Sequence, residues 1–127
     1  MSGVTQVISP GGNYPTHNRL THTLEVAHIA KSIALTLLHR HGVDHPAIQK
    51  GGGLDPDVVE AASLAHDIGH PPFGHVTEEI LRDLLREKTN WGFEGNAQSF
   101  RILTTLSVKD DTFPGLDLTR ATLSAVS

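Results

Sequence analysis

The sequence contains no cysteine. Disulfides and thiolate ligands are thereby excluded, and any metal site has to be assembled from imidazole and carboxylate groups. Aromatic residues are scarce, at 5% of 127 residues, so packing must rest on Leu, Ile, Val and Ala, a composition that favours helices. Long runs of Lys or Arg are missing and the formal net charge is −4. Nucleic acid is therefore not expected as the main ligand, although a small phosphorylated molecule held by an arginine or two remains compatible. No apolar stretch approaches the ~20 residues that cross a bilayer. Met1-Ser2-Gly3-Val4-Thr5 has neither the basic start nor the apolar core of a signal peptide. A soluble cytoplasmic protein without membrane contact is the expectation.

With no internal repeat and no alternating strand pattern, the chain reads as one all-α domain. Residues 1–17, rich in Gly, Pro, Ser, Thr and Asn, form an irregular leader, and residues 18–127 form the domain. Leu20, Leu24, Ala27, Ala30, Ala34 and Leu37 recur at helical spacing from Asn18 to a stop at Gly42. On this helix His22 is in register with Val26, Ile29, Ile33 and Leu37, so it is expected to face inward. Asp55-Pro56 supplies an N-cap and a first-turn proline for the next helix. There Val59, Ala62 and His66 share a face, and Ala61, Ala62, Ser63 and Ala65 let a neighbour approach closely. The first helix is the expected neighbour, which brings His22 to His66. A third helix is predicted over 77–87, a fourth over 99–106, an acidic loop over 109–115 and a last helical run over 118–126. His17, His28, His39, His41 and His45 read as surface residues.

The chemistry is concentrated in His66-Asp67-Ile68-Gly69-His70-Pro71-Pro72-Phe73-Gly74-His75, three imidazoles and a carboxylate in ten residues. A single inward His is more often a hydrogen-bonded core residue than a ligand. The accumulation of His66, Asp67, His70, His75 and Glu78 reverses that expectation. His66 and Asp67, at adjacent positions about 100° apart around a helix end, can converge on one ion. Pro71 and Pro72 stop the helix, while Gly69 and Gly74 open backbone angles that other residues resist. Beyond the turn, His75 and Glu78 are three apart, where the carboxylate can orient the imidazole as an acid/base group. Arg19 lies one turn before His22, where it either reaches a bound phosphate or is merely a solvated helix-start residue. Glu94, Gln98 and Arg101 fall on one side of the fourth helix, a pattern suited to a sugar or base, or to an ordinary solvated face.

These residues resemble the HD-domain metal-dependent phosphohydrolases. The narrower likeness is to the deoxyguanosine triphosphate triphosphohydrolase-like (dGTPase-like) branch, carried by Arg19-x-x-His22, by His66 to His75 with Glu78, and by Gly92-Phe93-Glu94-Gly95-Asn96-Ala97-Gln98. The resemblance implies a helical HD bundle and hydrolysis of a deoxynucleoside triphosphate, dGTP or another dNTP, to deoxynucleoside and triphosphate. It implies His22, His66 and Asp67 as ligands of one divalent ion, whether Mn, Fe, Mg, Zn, Co or Ni. His75, supported by Glu78, would handle a proton, Arg19 and His70 would line the phosphate pocket, and Glu94, Asn96, Gln98 and Arg101 would contact substrate. It also implies a homo-oligomer.

Two features depart from that pattern. The family's further ligand Asp has no match here, since Asp110, Asp111 and Asp117 lie in or beside a loop, and family members run longer at both ends. The chain is therefore expected to be an N-terminal HD core, truncated at its C-terminal end and prone to self-association. Val76-Thr77 also replaces the smaller pair usual after the last motif His. The competing expectations are an HD phosphatase or phosphodiesterase acting on another nucleotide, and a catalytically incomplete nucleotide-binding or assembly fragment.

Overall fold

A computed structural model describes residues 18–126; the leader expected over 1–17 lies outside the described residues. Asn18 starts the first helix, α1 (Arg19–His41), by accepting the Thr21 amide at 3.0 Å. Gly42, at φ 78°, ends it and donates its N–H to Leu38 O at 2.8 Å. The stop at Gly42 is thus where the sequence put it, and Asn18, where the pattern begins, is the N-cap.

Helix α1 buries the row through Ala27 and Ala34, and not the Val26-Ile29-Ile33-Leu37 row that was expected to face inward with His22. Arg19, Thr23, Ala27 and Ala34 are buried, whereas Ile29 is 58% and Ile33 54% exposed. Thr23, Ala27 and Ala34 each lie one residue, about 100° around the helix, beyond a member of the His22-Val26-Ile29-Ile33-Leu37 row. The reason lies in the partner, since α3 (Pro56–Ala65) presents Ala62 and Ala65. Small side chains on both helices bring the backbones together, and this close approach outweighs burial of the larger row. Lys31 reinforces the pair from the flank, reaching Asp57 at 2.8 Å and Glu60 at 2.6 Å.

Asp55 caps α3 through the amides of Asp57 and Val58, at 2.9 and 3.4 Å. Between α1 and α3 the chain forms a short helix, α2 (Pro46–Lys50). His45 Nδ1 caps it by accepting the Ala47 amide at 3.3 Å, so this histidine has a local structural role.

Helix α4 (His75–Thr89) begins two residues before the expected start and buries none of its residues. The next helix also starts early. It is α5 (Gly95–Arg101), running on as a π-helical segment, Ile102–Leu106. Its earlier start has a capping cause, because Glu94 accepts the Asn96 and Ala97 amides at 3.0 and 2.6 Å. The 107–117 loop returns to the π-segment, where Leu116 donates to Leu103 O at 2.8 Å. The last helix, α6 (Arg120–Val126), packs on α3 and α5. The buried apolar core is Ala27, Ala34, Ala62, Ala65 and Leu103. Among the described residues there is no β-strand, and the fold is an all-α helical bundle. No described helix is long and apolar enough to cross a membrane.

Candidate metal centre

Helix α3 ends at Ala65, and His66 and Asp67 follow at its C-terminal edge. The close α1–α3 packing carries His22 to the same place. His22 Nε2 lies 3.6 Å and His66 Nε2 3.2 Å from Asp67 Oδ2, with the two imidazole centroids 5.6 Å apart. One ligand atom from each of the three residues falls within 4.8 Å of the others. Bonds of about 2.0–2.2 Å to a common ion put ligand atoms roughly 3–4 Å apart, so the spacing fits a divalent metal. The tautomers fit as well. His66 Nδ1 donates to Ser63 O at 2.7 Å, which leaves the Nε2 lone pair directed toward Asp67 and His22, the usual arrangement of a ligating histidine.

The surrounding groups brace this cluster. Arg19 is buried, and its Nη2 donates to the backbone oxygen of Asp67 at 2.5 Å. The reading of Arg19 as a solvated residue is therefore overturned: the guanidinium ties α1 to the turn that bears the carboxylate. His70 Nδ1 lies 3.5 Å from Asp67 Oδ1 and has no hydrogen-bond partner among the described residues. Its ring lies against Gly95, where a Cβ would come within 2.5 Å of Cδ2. The Asp67 carboxylate thus lies within 3.6 Å of a ring nitrogen of three imidazoles.

His75 stands apart. Its side chain is 90% exposed, with Nδ1 3.5 Å from Glu78 Oε2. Glu78 also accepts the Gly95 amide at 2.9 Å. This amide, with a smaller contribution from His75, holds the Glu78 carboxyl below its ordinary pKa, against the opposing effect of burial. Glu78 therefore ties α4 to the start of α5.

The sequence matches the HD domain family over residues 19–115. The chain belongs to the HD-domain family. It is 43% identical, over its whole length, to a deoxyguanosinetriphosphate triphosphohydrolase-like protein of Streptomyces coelicolor and 46% identical to deoxyguanosinetriphosphate triphosphohydrolase-like protein 2 of Vibrio cholerae, spanning 28% of each. A similarly named protein of Caulobacter vibrioides is 44% identical over 94% of this chain, which spans 26% of it. The chain thus covers about a quarter of the length of these relatives.

Of the residues singled out in the sequence, the HD fold gathers His22, His66 and Asp67 with Arg19 and His70 around them. Glu94 sits on the α5 amides, Gln98 is half-buried, and Asn96 and Arg101 are exposed. Asp110 bonds the Thr112 amide and hydroxyl at 2.9 and 2.6 Å, and Asp117, at φ 51°, lies in the loop before α6. Gly69 corrects another expectation. It does not take a positive φ; a Cβ there would overlap the backbone of Ser99 and Gln98. The turn takes its left-handed angles at Phe73 (φ 69°) and Gly74 (φ 68°) instead. Ser99 went unnoticed in the sequence beyond its place in a helix, because a buried serine carries no local signature.

Proposed function

We propose that this chain carries the metal-binding part of a hydrolase that cleaves deoxynucleoside triphosphates to deoxynucleoside and triphosphate. The observation that supports the reading best is the meeting of His22, His66 and Asp67, with His66 held in the ligating tautomer by Ser63. The names of the relatives supply the substrate class.

A divalent ion held there would supply positive charge against the phosphoryl oxygens on which negative charge develops. The chain's own groups do the rest. Asp67 stands 3.2–3.6 Å from the imidazoles of His22, His66 and His70, so the four side chains share one side of the turn. His75, with Nδ1 toward Glu78, has Nε2 available to hold or give a proton at the leaving 5′ oxygen. In the reaction, water attacks the α-phosphorus and the bond from that phosphorus to the 5′ oxygen breaks. The water oxygen remains with the triphosphate and one water proton goes to the nucleoside.

Incubation with each deoxynucleoside triphosphate and Mn or Mg, followed by anion-exchange chromatography, should yield triphosphate and deoxynucleoside in equal amounts. Monophosphate with pyrophosphate would point instead to an HD phosphodiesterase type of cleavage. A second reading, a non-catalytic assembly module, is favoured by the exposure of Ile29, Ile33, Ile80 and Leu84. It predicts metal or nucleotide binding without any product.

A further inference from the structure

We infer that Ser99 is a positioning residue for the metal centre, its buried hydroxyl holding the His66–Gly69 turn so that His66 Nε2 and Asp67 Oδ2 aim at one point; this rests on reading those residues as ligands. Ser99 is 0% exposed. A hydroxyl has one proton to give and two lone pairs to offer. Ser99 Oγ accepts the Gly69 amide at 2.9 Å, and its proton is within reach of His66 O at 3.2 Å and Gly95 O at 3.1 Å.

A helical serine commonly returns its proton to the carbonyl four residues back, here Gly95. A purely local role would end there. The bonds to His66 and Gly69 span 33 and 30 positions of sequence and enclose Asp67 between them. Arg19 holds the carbonyl of Asp67 itself. The main chain bearing two ligands is therefore pinned by one side chain from α5 and one from α1, the helix that also carries His22.

The α5 backbone lies directly against Gly69, with no room for a Cβ there. This close approach is what lets the Ser99 hydroxyl, both donor and acceptor, reach the Gly69 amide and the His66 carbonyl. Removing the hydroxyl leaves the Gly69 amide without its partner in a site closed to water, and the turn is free to rotate its ligands.

The test uses the chain loaded with Co(II), read by its visible absorption bands and by calorimetric affinity. Ser99→Ala should weaken Co(II) binding about tenfold or more, the range for groups that orient ligands, and shift the absorption bands while helical circular dichroism is retained. Leu103→Ala, at a site as deeply buried but without a hydrogen bond to the turn, should lower Tm and leave the spectrum and affinity near wild type. If Ser99→Ala does not fold, Ser99→Cys, of similar size but a poor acceptor, is read in its place. Unchanged spectrum and affinity at residue 99 overturn the assignment, as does a Leu103→Ala variant that reproduces the same losses. A wild-type chain that binds no Co(II) overturns the metal reading itself, and is recognised before any variant is made.

Discussion

Glu78 makes the clearest residue-scale prediction, because its ionised form is the one the fold stabilises. Its carboxyl is held below the ordinary value of 4.5, chiefly by the Gly95 amide. Between the lowered folded value and 4.5 the unfolded chain binds more protons, so stability rises with pH there. The contribution is complete above 4.5 and is lost as pH falls through the folded value. Glu78→Gln keeps an acceptor for the amide but removes the charge. The stability advantage of wild type over this variant should be present above pH 4.5 and shrink as pH falls below it, as followed by thermal melts. The ligands make a second prediction. Metal at a hundredfold excess over Kd should stabilise the wild-type chain by about 2.7 kcal/mol. His66→Ala or Asp67→Ala should abolish that gain, and its persistence in both variants would show that other residues hold the ion. His66, Asp67 and their spacing were legible in the sequence, since adjacent residues at a helix end need no knowledge of the rest of the chain. The bracing roles of Arg19 and Ser99 were not, because each depends on a backbone group about thirty or more positions away.

Elements meet through small residues here, and the site depends on that closeness. Ala27 and Ala62 lie in the α1–α3 contact, 3% and 8% exposed. Ala27→Leu inserts three carbons into this contact and should cost about 1–3 kcal/mol by overpacking. More tellingly, it should separate His22 from His66 and reduce metal affinity while total helix content is preserved. Equal affinity in this variant would show that α1 is not what places His22. The alanine row of α1 was visible in the sequence, yet its burial in preference to Val26-Ile29-Ile33-Leu37 was not, since the latter is the more hydrophobic row. The choice fell to the alanine row because α3 presents alanines to it and Lys31 reaches the Asp57 and Glu60 carboxylates. Neither fact belongs to α1 alone. The early start of α5 has a similar origin in the Glu94 cap, a signal that was present locally but was read as a substrate contact.

At the scale of the molecule, large apolar side chains lie on the surface of two helices. Ile29, Ile33 and Leu37 line a shallow groove on α1 with His28, Ser32 and Thr36, about 340 Å³ in volume. Val76, Ile80 and Leu84 are exposed on α4, which buries none of its residues. Apolar surface of this kind drives association. Sedimentation velocity should show species larger than the monomer that increase with concentration. Ile33→Glu combined with Leu84→Glu should shift the distribution toward monomer, whereas a clean wild-type monomer at all concentrations would contradict the expectation. The net charge of −4 works against precipitation but does not cover either row.

By itself the sequence determined the helical class, the stop at Gly42, the cap at Asp55, and the concentration of imidazole and carboxylate in one turn. These follow from neighbouring residues: periodicity, a capping side chain, a proline at a first turn. Tertiary structure alone decided which face of α1 is buried, why Gly69 must lack a Cβ, and that Ser99 and Arg19 grip the ligand-bearing backbone. Such features depend on what another helix presents across a contact, and no local pattern encodes the identity of that neighbour.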